Sequence, residues 1–300
     1  MSDARNEANT TDGPKPARLD LARTALFVPA TRPERIAKAF AAGADAVIVD
    51  LEDAVAADAK GWARDTLTRV FDQPQEFDLD GAAQPIAIRF STPSSEDGKQ
   101  DIDWLESIVT DDARVARLDS IMVAKIETTA ELDLVAKVLD ASSAAAGVSL
   151  VPLIESPAGI VNAAELATHP RVSRLGLGAI DMAVELGCEV RSTTMDYVRA
   201  QLVIACALAG KQGPLDSPSA EFKDDELVRS DTEQVKRAGC TGKLCIHPRQ
   251  IPIVAEVFAP TDEEIDWARR VLEVQDGLGQ VDGQMVDRPV ILRARRILGV

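Results

Sequence analysis

Long apolar runs are missing from this 300-residue chain. The longest, such as residues 46–49 and 202–209, fall well short of the roughly 20 residues that a membrane-spanning helix needs. The first 18 residues contain charges and prolines but no apolar stretch of the kind found in secretory signal peptides. We therefore expect a cytoplasmic protein with no membrane partner.

Cysteine and histidine are also scarce. The four cysteines are too few for a disulfide scaffold in a chain of this length, and no two have the C-x-x-C spacing typical of zinc ligands. His169 and His247 are the two histidines, and no Ser or Cys lies in a recognisable nucleophile elbow. A hydrolytic triad is therefore poorly supported, and we interpret His247 as structural.

Positive charge is outweighed in this chain. The 33 Lys and Arg residues face 49 Asp and Glu residues, which makes the formal net charge −16. Such a charge repels polyanions, so nucleic acid and anionic membrane surfaces are excluded as expected partners. Any anionic ligand must meet a local cluster of basic residues or a metal ion.

Short β-rich apolar runs alternate with helix-length segments such as residues 33–42 and 128–139. Strands that are apolar on both faces suit a parallel sheet that is covered on both sides. Seven or eight such units in about 240 residues predict a (β/α)8 barrel, with a doubly wound open sheet as the alternative. The predicted strands are residues 25–28, 46–49, 86–90, 121–123, 150–154, 175–177 and 244–246.

The two ends of the chain depart from this repeat. Residues 1–20 lack periodicity and predict a flexible N-terminal tail, which leaves residues 21–260 for the barrel. Residues 261–300 predict a C-terminal helical extension, with helices over 261–275 and 288–298 around a Gly-rich stretch. Packing of this extension on another subunit is one arrangement open to it. No dinucleotide-binding or P-loop glycine motif occurs in the chain.

Charged residues follow the predicted strands. The C-terminal strand ends and the loops after them form the active face of a barrel of this type. We therefore expect these side chains to meet at one end of the barrel, where acids surround two bases. The candidates are Glu52, Asp53, Arg89, Lys125, Glu155 and Asp181.

Glu155 and Asp181 are the candidate metal ligands. They follow two successive predicted strands, and neighbouring strands lie about 4.8 Å apart, so one carboxylate oxygen from each could bind a single ion. An oxygen shell without His or Cys favours Mg²⁺, or Mn²⁺, over zinc. The alternative is that each acid caps the helix after it.

Arg89 and Lys125 are the two bases. The guanidinium of Arg89 ends an apolar strand and suits a substrate carboxylate, with a salt bridge to Glu52 or Asp53 as the alternative. Lys125 could place a charge on the ligand, act as a Schiff-base nucleophile or form a structural ion pair, and we favour the first. Asp287 alone would indicate only a solvated turn or a helix cap.

Several motifs occur in the order found in one known family. Over residues 23–298 the chain resembles the citrate lyase beta-subunit-like enzymes of the HpcH/HpaI aldolase superfamily, whose members include malyl-CoA and citramalyl-CoA lyases. The motifs are Arg23-Thr24-Ala25-Leu26-Phe27-Val28-Pro29, Asp50-Leu51-Glu52-Asp53-Ala54-Val55, Arg89, Ile154-Glu155-Ser156, Gly178-Ala179-Ile180-Asp181, Gly242-Lys243, Ile246-His247-Pro248 with Gln250, and Gly283-Gln284-Met285-Val286-Asp287.

The resemblance implies a modified (β/α)8 barrel, trimeric or hexameric, that cleaves or forms a carbon–carbon bond beside a CoA thioester with Mg²⁺. Glu155 and Asp181 match the family's metal ligands, and Arg89 matches its clamp on the oxo-acid carboxylate. Asp287 matches the acid that malyl-CoA and citramalyl-CoA lyase-like members place over a neighbouring subunit's active site. Three departures concern the substrate side chain, namely Ser91 in place of Asn, Ala124 in place of Pro, and the segment 213–223.

The expected reaction is cleavage of a 3-hydroxy-3-carboxyacyl-CoA, such as malyl-CoA or citramalyl-CoA, to acetyl-CoA and glyoxylate or pyruvate, or its reverse. Asp287 would move the proton at carbon, and Glu52 and Asp53 would hold waters around the metal. Arg32 and Lys38 are candidates for the CoA phosphates. The alternatives are a malyl-CoA thioesterase or malate synthase, a citrate lyase beta subunit acting on a citryl thioester, a CoA-independent pyruvate aldolase, and a non-catalytic binding barrel.

Overall fold

A computed structural model describes residues 18–79, 84–274 and 279–300. Within them, eight parallel strands pair in sequence order and close into a barrel. The strands are β1 (Thr24–Pro29), β2 (Ala46–Asp50), β3 (Ile86–Phe90), β4 (Leu118–Val123), β5 (Ser149–Ile154), β6 (Gly176–Leu177), β7 (Leu215–Asp216) and β8 (Gly242–Cys245). The predicted (β/α)8 barrel is confirmed. The first 17 residues of the predicted tail lie outside the described residues.

Helices separate the strands along the chain. None of the described helices is long and apolar enough to cross a membrane. The helices of this part are α1 (Ile36–Ala41), α2 (Lys60–Asp72), α3 (Glu96–Ile108), α4 (Asp112–Val115), α5 (Thr129–Asp140), α6 (Pro157–Val161), α7 (Ala163–Thr168), α8 (Ala179–Leu186), α9 (Thr193–Leu208), α10 (Asp225–Ala238) and α11 (Gln250–Phe258).

Side chains fill the barrel interior. One buried hydrophobic cluster draws on seven of the eight strands, and it includes Ala25, Ile48, Ala87, Met122, Leu153, Leu215 and Leu244. Because a barrel of this type is a packed core and not a pore, ligands bind at its end. The charged residues that follow the strands therefore lie at the end of a packed hydrophobic core.

The seventh strand differs from the sequence prediction. It contains two residues, Leu215–Asp216, within the segment 213–223, and it is not among the predicted strands. Leu215 is a single apolar residue between Pro214 and Asp216, so the sequence shows no apolar run there, and the strand is defined by its pairing with β6 and β8. Each of the seven predicted runs overlaps one of the other seven barrel strands.

Residues 255–300 form a second compact unit. It contains α12 (Asp262–Glu273), the antiparallel pair β9 (Gln280–Val281) and β10 (Gln284–Met285), and α13 (Arg288–Leu298). The turn at Asp282 and Gly283 has positive φ at both residues, which is the conformation that such a tight hairpin requires. A small core stabilises the unit, and its buried members are Ala268, Val271, Val281, Val286 and Ala294.

Candidate active site

A connected group of charged side chains lies at the C-terminal ends of β2 to β6. Arg89 contacts Glu52, Glu52 contacts Lys125, and the Lys125 amide contacts Glu155. Asp181, in the first turn of α8, is near enough for its charge to raise the pKa of Glu155. The barrel therefore brings Glu52, Asp53, Arg89, Lys125, Glu155 and Asp181 together in one region.

Arg89 is held by Asp50, the last residue of β2. The two residues pair in register across β2 and β3, and Arg89 Nε and Nη2 donate to the two Asp50 carboxylate oxygens at 2.7 and 2.6 Å. The guanidinium also stacks over the Phe27 ring at 4.7 Å from its centroid. Burial alone would lower the pKa of Arg89, but the hydrogen bonds and charge of Asp50 outweigh burial and raise it. Arg89 is thus a fixed, permanently charged fork.

The sequence places Asp50 at a strand end but assigns it no role in the site. It is almost fully buried, and besides Arg89 it accepts hydrogen bonds from the Glu52 and Ala54 amides at 2.9 and 3.1 Å. The sequence interpretation placed a salt bridge from Arg89 on Glu52 or Asp53 instead. Glu52 does contribute, with Oε2 at 3.2 Å from Arg89 Nη1. The pairing of Asp50 with Arg89 depends on the register between β2 and β3, which a single sequence does not reveal.

Lys125 lies between the acids. Its Nζ is 2.9 Å from Glu52 Oε1 and 3.7 Å from Asp53 Oδ1. The hydrogen bond that Lys125 donates to Glu52 raises the pKa of Lys125, and the negative charges of Glu52 and Asp53 act in the same direction. A Schiff-base nucleophile needs a neutral amine, so this environment favours a charged ion-pair role over nucleophilic chemistry.

The backbone at Lys125 also positions Glu155. Lys125 has φ of 54°, a left-handed conformation that is unusual for a residue other than glycine. In this conformation the Lys125 amide donates to Glu155 Oε2 at 3.0 Å. A strained backbone at such a place is typical of functional sites, where the surrounding structure holds it.

Glu155 is a buried acid among other acids. Burial, together with the charges of Glu52 and Asp181, raises the pKa of Glu155 to about 8 against the opposing charge of Arg89. The capping alternative does not fit Glu155, because Ser156 caps α6 and its Oγ accepts from the Gly159 amide. It fits Asp181 in part, since an acid in the first turn of a helix is favourable.

The donor chemistry fits a hard divalent cation. Glu155 and Asp181 offer carboxylate oxygens only, which Mg²⁺ and Mn²⁺ prefer. In the described residues no group of three or more His, Cys, Asp or Glu side chains is arranged to hold a metal ion. An ion here would have two carboxylate ligands from the chain, and water and substrate would fill its other positions.

The remaining predicted residues lie in other environments. Arg32 forms an exposed ion pair with Glu34 at 2.7 Å, and Lys38 is exposed on α1. Asp287 belongs to the 255–300 unit, where it caps α13 by accepting from the Val290 amide at 3.1 Å.

Ser91 and His247 have structural partners. The buried Ser91 hydroxyl accepts from Lys60 Nζ at 3.1 Å, which ties the end of β3 to the start of α2. The His247 ring stacks on Phe222 with the ring centroids 4.4 Å apart, and this contact joins the loops after β7 and β8. Ala124 is fully buried.

The chain matches one known protein family over most of its length. Residues 23–248 match the profile of the HpcH/HpaI aldolase/citrate lyase family, which is more than half of the chain. The chain belongs to this family. Its relatives include proteins named as a citrate lyase subunit beta and a malyl-CoA lyase, so the predicted family and the carbon–carbon lyase class are confirmed.

Individual members of the HpcH/HpaI family align with nearly the whole chain. A (3S)-malyl-CoA thioesterase from Cereibacter sphaeroides is 32% identical, covering 92% of this chain and 93% of the relative. An L-malyl-CoA/beta-methylmalyl-CoA lyase from the same species is 31% identical, covering 95% of each. The crystal structure of CitE from Mycobacterium tuberculosis with magnesium, acetoacetate and coenzyme A has a TM-score of 0.73 and 30% identity, covering 94% of this chain and 98% of that chain.

Proposed function

We propose that this chain is a Mg²⁺-dependent lyase that cleaves, or forms, a 3-hydroxy-3-carboxyacyl-CoA such as malyl-CoA or citramalyl-CoA. The products of cleavage would be acetyl-CoA and glyoxylate or pyruvate. The observation that carries the proposal is the Glu155–Asp181 carboxylate pair beside the fixed Arg89 fork. A similar structure that holds magnesium and coenzyme A, and a relative named as a malyl-CoA lyase, support the choice of metal and substrate class.

Arg89 would bind the carboxylate of the acid half. A guanidinium has five N–H donors, of which Asp50 takes two and Glu52 at most one. At least two N–H groups therefore remain for a substrate carboxylate. Because Asp50 and Phe27 already fix the guanidinium plane, the substrate would meet a pre-oriented fork.

Glu155 and Asp181 would hold the metal ion, which when bound lowers the pKa of a substrate hydroxyl and polarises a carbonyl. Glu52 and Asp53 would orient waters around the ion, and Lys125 would supply positive charge beside the ligand. These roles rest on the chemistry of each group and on its proximity to the others.

Asp287 is the proposed proton donor or acceptor at the carbon of the thioester enolate, acting on a neighbouring subunit's site. Its role in the family resemblance supports this assignment. We expect Asp287→Asn to lower kcat while the Mg²⁺ dissociation constant stays unchanged.

Arg32 and Lys38 are the proposed contacts for CoA phosphates. We expect the double substitution Arg32→Ala with Lys38→Ala to raise KM for the acyl-CoA.

Malyl-CoA hydrolysis is the second candidate function. It is favoured by one observation, the 32% identity to a (3S)-malyl-CoA thioesterase over almost the full length of both chains. A hydrolase would release free CoA and leave the hydroxy acid intact, whereas a lyase would release acetyl-CoA and an oxo-acid. The two functions therefore differ in every product.

One experiment separates these candidates. The purified protein is incubated with malyl-CoA and, separately, with citramalyl-CoA, with Mg²⁺ or with EDTA, and the products are followed by mass spectrometry. We expect metal-dependent formation of acetyl-CoA and an oxo-acid. Free CoA with intact hydroxy acid would replace the lyase by a thioesterase, and no turnover of either thioester would favour a CoA-independent aldolase.

Metal affinity should depend on pH through Glu155. Because the pKa of Glu155 is raised to about 8, the metal-free protein holds a proton there at pH 7, and the ion must displace it. We expect Mg²⁺ affinity to rise by up to about tenfold per pH unit between pH 6 and 8, and to level off above that. Calorimetric titration in buffers of different ionisation enthalpy should detect close to one proton released at pH 7. A pH-independent affinity with no proton release would contradict this role for Glu155.

We further propose that the protein is a homotrimer or homohexamer. In support, Tyr197, Ile204 and Leu208 share one face of α9 and are exposed, as is Val184 on α8. Exposed apolar side chains of this size commonly mark a protein–protein contact. Light scattering behind size-exclusion chromatography should give a mass of three or six chains, and a monomer at micromolar concentration would contradict the proposal.

A further inference from the structure

Gly178 lies against the carboxylate of Glu155. It precedes α8 and joins the end of β6 to the helix that carries Asp181. Its amide donates to the carbonyl of Ile154 at 2.9 Å, which places the Gly178 Cα beside the Glu155 side chain. A Cβ atom at residue 178 would lie 2.5 Å from Glu155 Cγ and 2.7 Å from Cδ, and closer still to Oε1.

Backbone conformation does not require a glycine here. Gly178 has φ of −96°, which any L residue can adopt. Glycine is required here because a side chain would have no room. The three heavy atoms nearest to a Cβ at residue 178 all belong to Glu155. Carbon atoms in contact normally stay about 3.5–4.0 Å apart, so a methyl group and the carboxylate cannot share this space.

We infer that Gly178 is a positioning residue, whose missing side chain leaves the space in which the Glu155 carboxylate lies. The carboxylate is held by the Lys125 amide, which donates to Oε2 at 3.0 Å. An alanine at position 178 would force the Glu155 side chain out of this rotamer, so the carboxylate would lose its hydrogen bond with the Lys125 amide. The backbone around Glu155 is fixed by the β5–β6 pairing, so the side chain is the part that moves.

The inference rests on the proposed function to the extent that Glu155 is a metal ligand. We expect Gly178→Ala to fold but to hold the Glu155 carboxylate in a different position. Outer residues that orient a metal ligand typically change metal affinity by about 10- to 100-fold when they are altered. We therefore expect Gly178→Ala to weaken Mg²⁺ binding by about tenfold or more.

The chain offers a matched control. Gly61, on α2, is exposed, and a Cβ atom there would meet no heavy atom within 4 Å. Gly61→Ala makes the same chemical change in open space. We expect its Mg²⁺ dissociation constant, measured by calorimetry, to equal that of the wild type.

A double-mutant cycle with Glu155→Asp tests for direct contact. Aspartate is one methylene shorter, so it has more clearance from a methyl group at position 178. Glu155→Asp alone should weaken Mg²⁺ binding, but in the Gly178→Ala background it should cost much less. If the loss of Mg²⁺ affinity in the double variant equals the product of the losses in the two single variants, the inference is overturned. Wild-type Mg²⁺ affinity in Gly178→Ala would also overturn it. If Gly178→Ala does not fold, restoration of folding by Glu155→Asp supports the contact, and failure to restore it refutes the contact.

A measurement without metal separates this inference from the proposed function. Hydrogen exchange of the Lys125 amide reports whether Glu155 still accepts from it. In the metal-free protein we expect this exchange to be several-fold faster in Gly178→Ala and unchanged in Gly61→Ala. Unchanged exchange in both variants would overturn the role of Gly178. Faster exchange in Gly178→Ala, in a protein whose wild type binds no Mg²⁺, would uphold Gly178 and refute the proposed metal site.

Discussion

Glu155→Ala and Asp181→Ala are each expected to lower kcat/KM for the acyl-CoA by about a thousandfold or more. Each substitution removes one of the two carboxylates that we propose as ligands of the divalent ion. A bound metal contributes several kcal/mol of transition-state stabilisation, and a site with one chain ligand would hold it weakly. Steady-state kinetics at saturating Mg²⁺ measures the effect, and wild-type-like turnover by both variants would rule out the metal assignment.

Stability should not follow activity in the Glu155 variants. Because burial disfavours the ionised form of Glu155, an uncharged Gln at this position should leave the free energy of unfolding unchanged or raise it. Urea denaturation of Glu155→Gln in metal-free buffer measures this. Glu185→Gln is the matched control, since Glu185 is exposed on α8 one turn after Asp181. It should change neither turnover nor stability.

Asp50→Asn should reduce both stability and catalysis. Asp50 makes two charged hydrogen bonds to Arg89, and both side chains are largely buried. Removing one partner of a buried ion pair costs up to about 3–5 kcal/mol of unfolding free energy, and Glu52, which also contacts Arg89, would offset part of that cost. Since Arg89 would also lose its orientation, we expect kcat/KM to fall by about a hundredfold. Urea denaturation and steady-state kinetics measure the two effects.

The chain contains a surface counterpart of this ion pair. Asp72 accepts from Arg114 Nε and Nη2 at 2.7 and 3.0 Å, with the same paired geometry but more solvent around it. Asp72→Asn should cost less than about 1 kcal/mol and leave kcat/KM unchanged. Equal losses of stability in Asp50→Asn and Asp72→Asn would show that burial does not strengthen the Asp50–Arg89 pair.

Strand ends carry the informative signal in the sequence. Charged residues stand where apolar runs stop, and a parallel barrel directs all such ends to one face. This is why the sequence alone places Arg89, Lys125 and Glu155 in one group. The same rule does not show that Asp50 binds Arg89, because which residue of β2 faces Arg89 depends on the register of two strands.

Backbone geometry is the second part of the site that sequence reasoning does not reach. The sequence prediction for Lys125 concerns its ammonium group, yet the Lys125 amide also orients Glu155, through a left-handed conformation that no local pattern indicates. Gly178 belongs to a recognisable motif, but its role depends on a distance to a side chain 23 residues earlier. Such contacts between distant segments arise only in the folded barrel.

The most direct test of metal-dependent cleavage is to restore Mg²⁺ to metal-free enzyme in the presence of malyl-CoA. Protein stripped with EDTA is titrated with Mg²⁺, and acetyl-CoA, glyoxylate, free CoA and malate are quantified at each step. We predict no turnover without metal, and equal amounts of acetyl-CoA and glyoxylate as Mg²⁺ is added. Turnover that is the same with and without Mg²⁺, or the release of only free CoA and malate, would contradict the proposed function.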